Sequence, residues 1–340
     1  MLYQLFKKII FLFPAEFSHK LTLSTLDVLN NLKILPLISP KPIQDKFTFK
    51  GVKFKNKVGL SAGLDKDADH INVFATLGFG FIEVGTVTPK PQKGNDKPRL
   101  FRVVENEALI NRFGFNNKGI DHLVLNVKKL GKKDFALGIN IGKNKNTPED
   151  EAYKDYEICL EKCYQYADYI TINISSPNTA GLRDLQKKDN LSHLLEKIDT
   201  KRKELAQKHN KAVPIFVKIA PDITDEEIID ISDVIIQQNM DGVILTNTTI
   251  DKTLLGQNSK HLETVGGLSG KPLFTNSTQV LEKFKQKLNA DILVIGVGGI
   301  DSPEKAQEKI HHGADLVQIY TGLIYQGPSL ISKSAQALKR

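Results

Sequence analysis

Residues 292–322 read ILVIGVGGIDSPEKAQEKIHHGADLVQIYTG, a stretch that contains one complete strand–helix–strand unit. Its apolar runs, Ile292–Ile295 and Leu316–Ile319, are typical of buried strands, and Pro303–His312 has the composition of a surface helix. Ser302 is a favourable N-cap, with a proline at the first helical position after it. The stretch therefore predicts two parallel strands joined by a helix.

The same alternation runs through the chain from about residue 50, with eight apolar runs in all. A doubly wound open sheet is the alternative, but it usually has fewer strands, and no G-x-G-x-x-G follows the first run. We therefore predict an α/β fold of the (β/α)8 TIM-barrel type with a small N-terminal helical extension. The six other predicted strands are Val58–Leu60, Phe81–Gly85, Ala136–Ile141, Tyr169–Ile174, Ile215–Ile219 and Gly242–Leu245. The other predicted helices are Glu149–Ala167, Leu191–His209, Asp225–Asn239 and Ser277–Asn289.

Composition narrows the classes of protein to consider. The chain has 340 residues, 40% of them hydrophobic, so it can bury a core and is not expected to be disordered. Its 47 Lys+Arg and 39 Asp+Glu give a net charge of +8, but the lysines are scattered, and no nucleic-acid partner is expected. The two cysteines, Cys159 and Cys163, exclude a disulfide framework, and no metal site is expected because no His or carboxylate cluster has metal-ligand spacing.

Residues 1–40 form a separate element, and residues 41–340 form the barrel domain. The stretch Leu2–Phe13 is strongly apolar but too short to cross a bilayer, and Pro14 separates it from a second amphipathic helix that ends near Pro36. The pair either packs on the barrel or lies at a membrane surface with its lysines toward the headgroups. Both interpretations remain open at this point.

Two further segments lie outside the strand–helix alternation. Residues Phe47–Phe54 predict a hairpin that turns at Lys50-Gly51 and closes the floor of the barrel. The irregular segment Arg99–Asn117 follows the second strand, where long barrel loops tend to carry function.

Polar residues and glycines follow every predicted strand, at the barrel face that carries active sites in this fold. Asn side chains offer a donor and an acceptor in one plane, Lys66 and Lys218 offer positive charge, and the glycines offer backbone N–H groups for a phosphate. This set fits an aromatic redox cofactor with one phosphate. The strand ends are Ala62-Gly63-Leu64-Asp65-Lys66, Gly85-Thr86, Asn140-Ile141-Gly142, Asn173–Asn178, Lys218–Pro221, Thr246-Asn247-Thr248, Gly296–Gly299 and Tyr320-Thr321-Gly322.

Seven short segments, in this order and spacing, make nearly the whole chain similar to one known family. They are GLSAGLDKDA (59–68), FIEVGTVTPKPQ (81–92), NRFGFNN (111–117), ITINISSPNT (170–179), TNTT (246–249), GGLSG (266–270) and GVGGIDS (296–302). The chain resembles the quinone-linked, class 2 dihydroorotate dehydrogenases of pyrimidine (UMP) synthesis. The resemblance implies an FMN-dependent oxidoreductase that converts dihydroorotate to orotate and reduces a membrane quinone.

The resemblance also implies which residues hold the ligands. Those expected to contact FMN are Ala62, Gly63, Lys66, Thr86, Asn140, Asn173, Lys218, Thr246, Gly270, Gly299, Tyr320 and Thr321, the last four around the phosphate. Those expected around the substrate are Lys66, Asn111, Arg112, Phe113, Gly114, Phe115, Asn173, Asn178, Asn247 and Thr248.

Ser176 matches the catalytic base of class 2, which takes the proton from C5 while a hydride leaves C6 for flavin N5. A serine hydroxyl is a poor base and needs a relay for its proton, whereas the cytosolic class 1 enzymes use a cysteine. The resemblance further places His19, Arg102 and Tyr320 on the quinone path and makes residues 1–40 a lipid-facing entrance. We expect a monomer, because the N-terminal element occupies a face that could otherwise pair. We expect a peripheral location on the cytoplasmic side of the bacterial inner membrane, because the sequence shows neither a transit peptide nor a spanning helix, with an organellar form trimmed of its presequence as the alternative.

Two rival functions stay open on the sequence. The first is a tRNA dihydrouridine synthase, which needs a cysteine acid near the flavin, whereas Cys159 and Cys163 lie in a predicted helix. The second is a membrane-surface barrel that binds a phosphorylated ligand without turnover.

Overall fold

The computed structural model describes residues 2–339 and begins with helices that precede the barrel. These are α1 (Leu2–Ile10), α2 (Ala15–Asn31) and a short α3 (Leu35–Ile38). Pro14 is the N-cap of α2, so it separates α1 from α2 as expected. The second helix was expected to end near Pro36 but ends at Asn31. Pro36 lies in α3, which was not predicted because a four-residue helix has too few residues to show a period.

The predicted hairpin is present, with β1 (Phe47–Phe49) antiparallel to β2 (Val52–Phe54). Lys50 and Gly51 both have positive φ, the combination that suits a tight two-residue hairpin turn. Phe54 is fully buried and meets the ring of Phe81 edge-on at 5.3 Å. The hairpin therefore closes the floor of the barrel with aromatic side chains.

The remaining strands divide between the barrel and a smaller sheet. In chain order they are β3 (Val58–Leu60), β4 (Phe81–Val87), β5 (Leu100–Val103), β6 (Ala108–Asn111), β7 (Ala136–Ile141), β8 (Tyr169–Asn173), β9 (Ile215–Ile219), β10 (Gly242–Leu245), β11 (Gly267–Gly270), β12 (Leu293–Val297) and β13 (Leu316–Ile319). The strands β3, β4, β7, β8, β9, β10, β12 and β13 pair in that order, all parallel, and β13 returns to β3. This closed barrel confirms the predicted fold and all eight predicted strands.

Helices surround the barrel, since every barrel strand is buried on both faces and needs an apolar cover. They are α4 (Ile71–Thr76), α5 (Ile120–Lys128), α6 (Ala152–Cys163), α7 (Lys188–His209), α8 (Asp225–Gln237), α9 (Phe274–Lys285), α10 (Pro303–His311), α11 (Thr321–Gln326) and α12 (Ser329–Ala337). The Ser302 side chain caps α10, and Thr224 with Glu227 forms a capping box on α8. The predicted barrel helices occur, and none of their ends is displaced by more than four residues.

The segment between β4 and α5 forms a structure that the sequence did not predict. Strands β5 and β6 are antiparallel, and β11, about 160 residues further along the chain, pairs with β6 through Leu268 and Ile110. This three-stranded sheet brings Asn111 and Gly270 to the carboxyl end of the barrel, where they line a cavity with the strand ends.

Candidate functional site

A polar cavity lies at the carboxyl ends of the barrel strands and is partly covered by the small sheet. Every barrel strand except β7 contributes its end or the loop after it to the lining. The lining contains Ser61, Ala62, Gly63, Lys66, Thr86, Asn111, Phe113, Gly114, Phe115, Asn173, Ser176, Asn178, Lys218, Thr246, Asn247, Thr248, Ser269, Gly270, Leu273, Val297, Gly298, Gly299, Ile300, Gln318, Ile319, Tyr320, Thr321 and Gly322.

Most residues predicted for the cofactor and the substrate therefore lie around one cavity, and Ser176 lies there with them. Asn140 and Arg112 do not line it. Asn140 lies one layer below, where its side-chain oxygen accepts a hydrogen bond from the Thr86 hydroxyl at 2.5 Å. The Arg112 side chain turns outward and donates to the Pro98 carbonyl, while its own carbonyl accepts a bond from Asn95.

Amide side chains are held in fixed orientations beside Ser176. Asn178 donates to the side-chain oxygen of Asn111 at 3.2 Å, and Asn247 donates to Ser175 Oγ at 3.0 Å. The Asn178 backbone N–H donates to Ser176 Oγ at 3.3 Å. Donors and acceptors thus face the cavity in a fixed pattern, as a planar ligand with both kinds of group requires.

Arg183 supports these loops from behind, a role that the sequence did not reveal. Its guanidinium donates to the carbonyl of Ser175 at 3.1 Å and to the carbonyl of Thr248 at 2.9 Å. It also pairs with Asp222 at 2.8 Å. Because one planar group binds three elements, it fixes the loop after β8 relative to the loop after β10.

Two lysines contribute positive charge to the cavity. Lys218 is buried on β9 and donates to Ser61 Oγ at 3.2 Å; burial lowers its pKa, an effect that the charge of Glu83 opposes. Lys66 has its ammonium 4.1 Å from the centre of the Phe113 ring, and burial lowers its pKa to about 8. Both pKa values are held down because the surroundings solvate an ammonium poorly.

The glycine-rich end of the cavity presents backbone N–H groups. Gly299 has φ +72°, and a Cβ there would lie 2.5 Å from the Cα of Phe274, so only glycine fits. Within residues 2–339, nothing accepts a hydrogen bond from the N–H of Gly298 or of Gly299. Gln318 also lines the cavity, and its buried side-chain oxygen has no hydrogen-bond partner in the described part of the chain. The two N–H groups can therefore donate to a ligand, and the Gln318 oxygen can accept a hydrogen bond from it.

A second cavity is largely apolar and lies between the N-terminal helices and the barrel. His19, Arg102 and Tyr320, the residues predicted for the quinone path, all line it. Phe113 and Tyr320 line both cavities, so the two are separated by these rings. Burial lowers the pKa of His19 to about 3, which keeps its imidazole neutral, and raises the pKa of the Tyr320 hydroxyl.

Arg102 holds the corner between α1 and α2 at the edge of the apolar cavity. Its guanidinium donates to the carbonyls of Phe11, at 2.9 Å, and Phe13, and it lies 4.5 Å from the Phe11 ring centre. Phe11 and Phe13 follow the last residue of α1, so this arginine ties the turn between α1 and α2 to β5.

Neither cysteine reaches the polar cavity. Cys159 and Cys163 are fully buried on α6, and burial raises the pKa of each thiol. No cluster of three His, Cys, Asp or Glu side chains suited to a metal occurs within residues 2–339. None of the helices described is both long enough and apolar enough to cross a bilayer.

Comparison with known proteins points to one family. A family model described as dihydroorotate dehydrogenase matches residues 45–340. The chain is similar to "Dihydroorotate dehydrogenase (quinone)" of Aliivibrio salmonicida, with 51% identity over 97% of this chain and 98% of the relative. The protein of the same name from Yersinia enterocolitica is 53% identical over the same shares.

A solved structure extends the similarity to three dimensions. The crystal structure of DHODH in complex with ferulenol from Eimeria tenella has a TM-score of 0.85 and 36% sequence identity, and the match covers 95% of this chain and 90% of that chain. Since the family model and these relatives agree over nearly the whole chain, the protein belongs to the dihydroorotate dehydrogenase family of oxidoreductases.

Proposed function

We propose that this chain oxidises dihydroorotate to orotate in pyrimidine synthesis, with FMN bound in the polar cavity and a membrane quinone as the electron acceptor. The observation that carries the proposal is the convergence of Ser176, the ordered amides and two lysines on one cavity. The names of the relatives support the quinone-linked activity.

The residues present fit FMN. The N–H groups of Gly298 and Gly299, which have no partner among residues 2–339, suit its phosphate, and the oxygen of Gln318 suits a donor on its ring system. Lys218 suits a ring that gains negative charge on reduction. When bound, FMN supplies the two-electron acceptor for a hydride from C6 of the substrate.

The other residues of the cavity would bind the substrate and take its proton. Asn111, Asn173, Asn178 and Asn247 would pair with the polar edge of the pyrimidine ring, and the Lys66 ammonium with the carboxylate of dihydroorotate. Ser176 would accept the C5 proton. Because a hydroxyl is a weak base, its own proton must pass to a hydrogen-bonded relay as the C5 proton arrives.

The apolar cavity would admit the quinone from a lipid surface. Most of the large apolar side chains that the described residues expose lie between residues 2 and 38. An exposed apolar surface of this kind, with the exposed Lys8 beside it, suits peripheral binding to the cytoplasmic side of the inner membrane. Lys7 does not face outward as expected, because its ammonium donates to the Tyr325 carbonyl at 2.9 Å. We expect the purified protein to be a monomer that floats with anionic vesicles; a protein that stays with the soluble fraction would contradict the membrane part of the proposal.

Ser176→Ala tests the chemistry. Mixed anaerobically with dihydroorotate in a stopped-flow instrument, the wild type should lose its flavin absorbance rapidly. The variant should bind orotate with little change but reduce its flavin about 10²- to 10⁴-fold more slowly, the usual contribution of a general base. Ser176→Cys, which restores an ionisable group, should recover part of the rate as pH rises toward the thiol pKa.

Two results would contradict the proposal. Flavin reduction by Ser176→Ala at the wild-type rate would remove the role of Ser176. A colourless wild-type protein that takes up no flavin would overturn the assignment of the cavity.

A further inference from the structure

One fully buried cation near the polar cavity has no role in the proposed chemistry. Lys309 lies on α10, is 0% exposed, and packs with its Cβ near Gly296 of β12. Within residues 2–339, no carboxylate lies within ion-pair distance of its ammonium. Burial lowers its pKa to about 7, against a smaller opposing effect of Glu308, which is exposed on the same helix. A buried ammonium without a counter-charge is unfavourable, so its presence calls for a reason.

A short hydrogen-bond chain links Lys309 to the wall of the cavity. Its ammonium donates to Ser277 Oγ at 2.7 Å. The Ser277 hydroxyl is in turn within donating distance of the Gly298 carbonyl, at 3.2 Å, and of the Phe274 carbonyl, at 3.0 Å. Gly298 lines the cavity, so the cation lies two hydrogen bonds behind its surface.

These hydrogen bonds fix the orientation of the peptide unit between Gly298 and Gly299. The carbonyl of Gly298 and the N–H of Gly299 belong to the same trans peptide and point in opposite directions. Because the Gly298 carbonyl is directed back toward Ser277, the Gly299 N–H is directed away from it, and nothing in the described chain accepts a bond from this N–H. A Cβ on Gly298 would lie 2.6 Å from Ser277 Oγ, so the close approach also needs a glycine.

We propose that Lys309 is a positioning residue for the phosphate of the cofactor. Through Ser277 it fixes the Gly298–Gly299 peptide with its N–H toward the cavity, and its ammonium supplies a buried positive charge behind that wall. The inference rests on the proposed function, since it assigns the glycine end of the cavity to a phosphate. A phosphate dianion on the other side of the wall is the counter-charge that Lys309 lacks among the described residues.

Comparison of two flavins tests this role without measuring turnover. The full-length protein is purified with its flavin, the flavin is released, and rebinding of FMN or riboflavin is followed by flavin fluorescence. Riboflavin has the same ring system but no phosphate. For Lys309→Met we expect FMN affinity to fall about tenfold or more, with riboflavin affinity unchanged within about twofold, because only the phosphate interacts with the lost charge.

Lys305→Met is the matched control. Lys305 lies one turn earlier on α10. Its ammonium lies 5.0 Å from the centre of the Phe274 ring, as the Lys309 ammonium does at 5.2 Å, but Lys305 is paired with Asp301. This variant should bind both flavins like the wild type. Lys309→Gln keeps a polar group near Ser277 without the charge, and it provides the same comparison should Lys309→Met not fold.

The outcomes separate the inference from the proposed function. Unchanged FMN affinity in both Lys309 variants, or an equal loss for FMN and riboflavin, would overturn the role of Lys309 and leave the proposed function standing. A wild-type protein that binds neither flavin would overturn both.

Discussion

The buried side chain of Glu83 joins four strands of the barrel, so its replacement by glutamine gives a strong test of how the cavity is supported. Glu83 of β4 accepts hydrogen bonds from Asn140 Nδ2 at 2.8 Å, the Tyr169 hydroxyl at 3.1 Å, the Thr171 hydroxyl at 3.2 Å and Gln318 Nε2 at 2.8 Å. These partners lie on β7, β8 and β13. A carboxylate can accept all four bonds, because it carries no N–H or O–H to oppose them.

Glu83→Gln keeps the shape but forces an NH₂ group toward at least one of these donors. The opposed pair costs about 1–3 kcal/mol, and weaker bonds to the remaining donors add about 0.5–1 kcal/mol each. We therefore expect a loss of about 3–5 kcal/mol, which corresponds to about 4–7 °C in Tm for a chain of this size. Asn140 loses its fixed orientation as well, so Thr86 and Asn173 should hold the flavin less firmly.

Circular dichroism melting of the purified protein measures the first effect, and the flavin-to-protein absorbance ratio measures the second. Asp230→Asn is the control, because it also removes a carboxylate, but one in an exposed ion pair with Lys188. Such pairs contribute little, so its Tm should shift by about 1 °C or less. If Glu83→Gln melts within 1 °C of the wild type, the four bonds do not support the barrel as we argue.

Three further predictions concern the ligands. Orotate affinity should be full below pH 8 and fall above it, because the Lys66 ammonium binds the anion and loses its proton as pH rises through its pKa of about 8. If the orotate affinity of Lys66→Met falls with pH in the same way, this explanation is wrong. In steady-state assays, Arg102→Leu should raise the KM for quinone about tenfold and leave the KM for dihydroorotate unchanged. Arg112→Leu should change neither constant, because the Arg112 side chain points outward. Equal effects of the two variants on the KM for quinone would refute the role of Arg102. Deletion of residues 1–36 should leave the flavin bound and reducible by dihydroorotate but abolish quinone turnover, and undiminished quinone reduction by the truncated protein would refute the entrance role.

The barrel could be predicted because its signals are local. Each strand is a short apolar run followed by polar residues, and parallel strands bring those polar ends to one face whatever the details of packing. The hairpin at Lys50-Gly51 was predictable for the same reason, since two adjacent segments and a turn define it.

The features that escaped prediction depend on contacts between distant segments. Strand β11 is four residues long with two glycines, so nothing in its own sequence indicates a strand, and its partner β6 lies about 160 residues earlier. The sequence around Glu83 does not indicate its hydrogen-bond partners, and the most distant of them, Gln318, lies 235 residues later in the chain. Lys309 falls in a helix where lysine is usually exposed, and only the packing of α9 against it reveals its burial.

The two rings shared by the cavities have an evolutionary consequence. Phe113 and Tyr320 line both cavities, so a substitution at either position changes the polar cavity and the apolar cavity at once. Under the proposed function, a substitution at these two positions that gives resistance to a bulky competitor of the lipid-soluble acceptor would also alter binding of the pyrimidine. Resistance should therefore arise more readily along the N-terminal helices, where the acceptor's pocket can be reshaped alone.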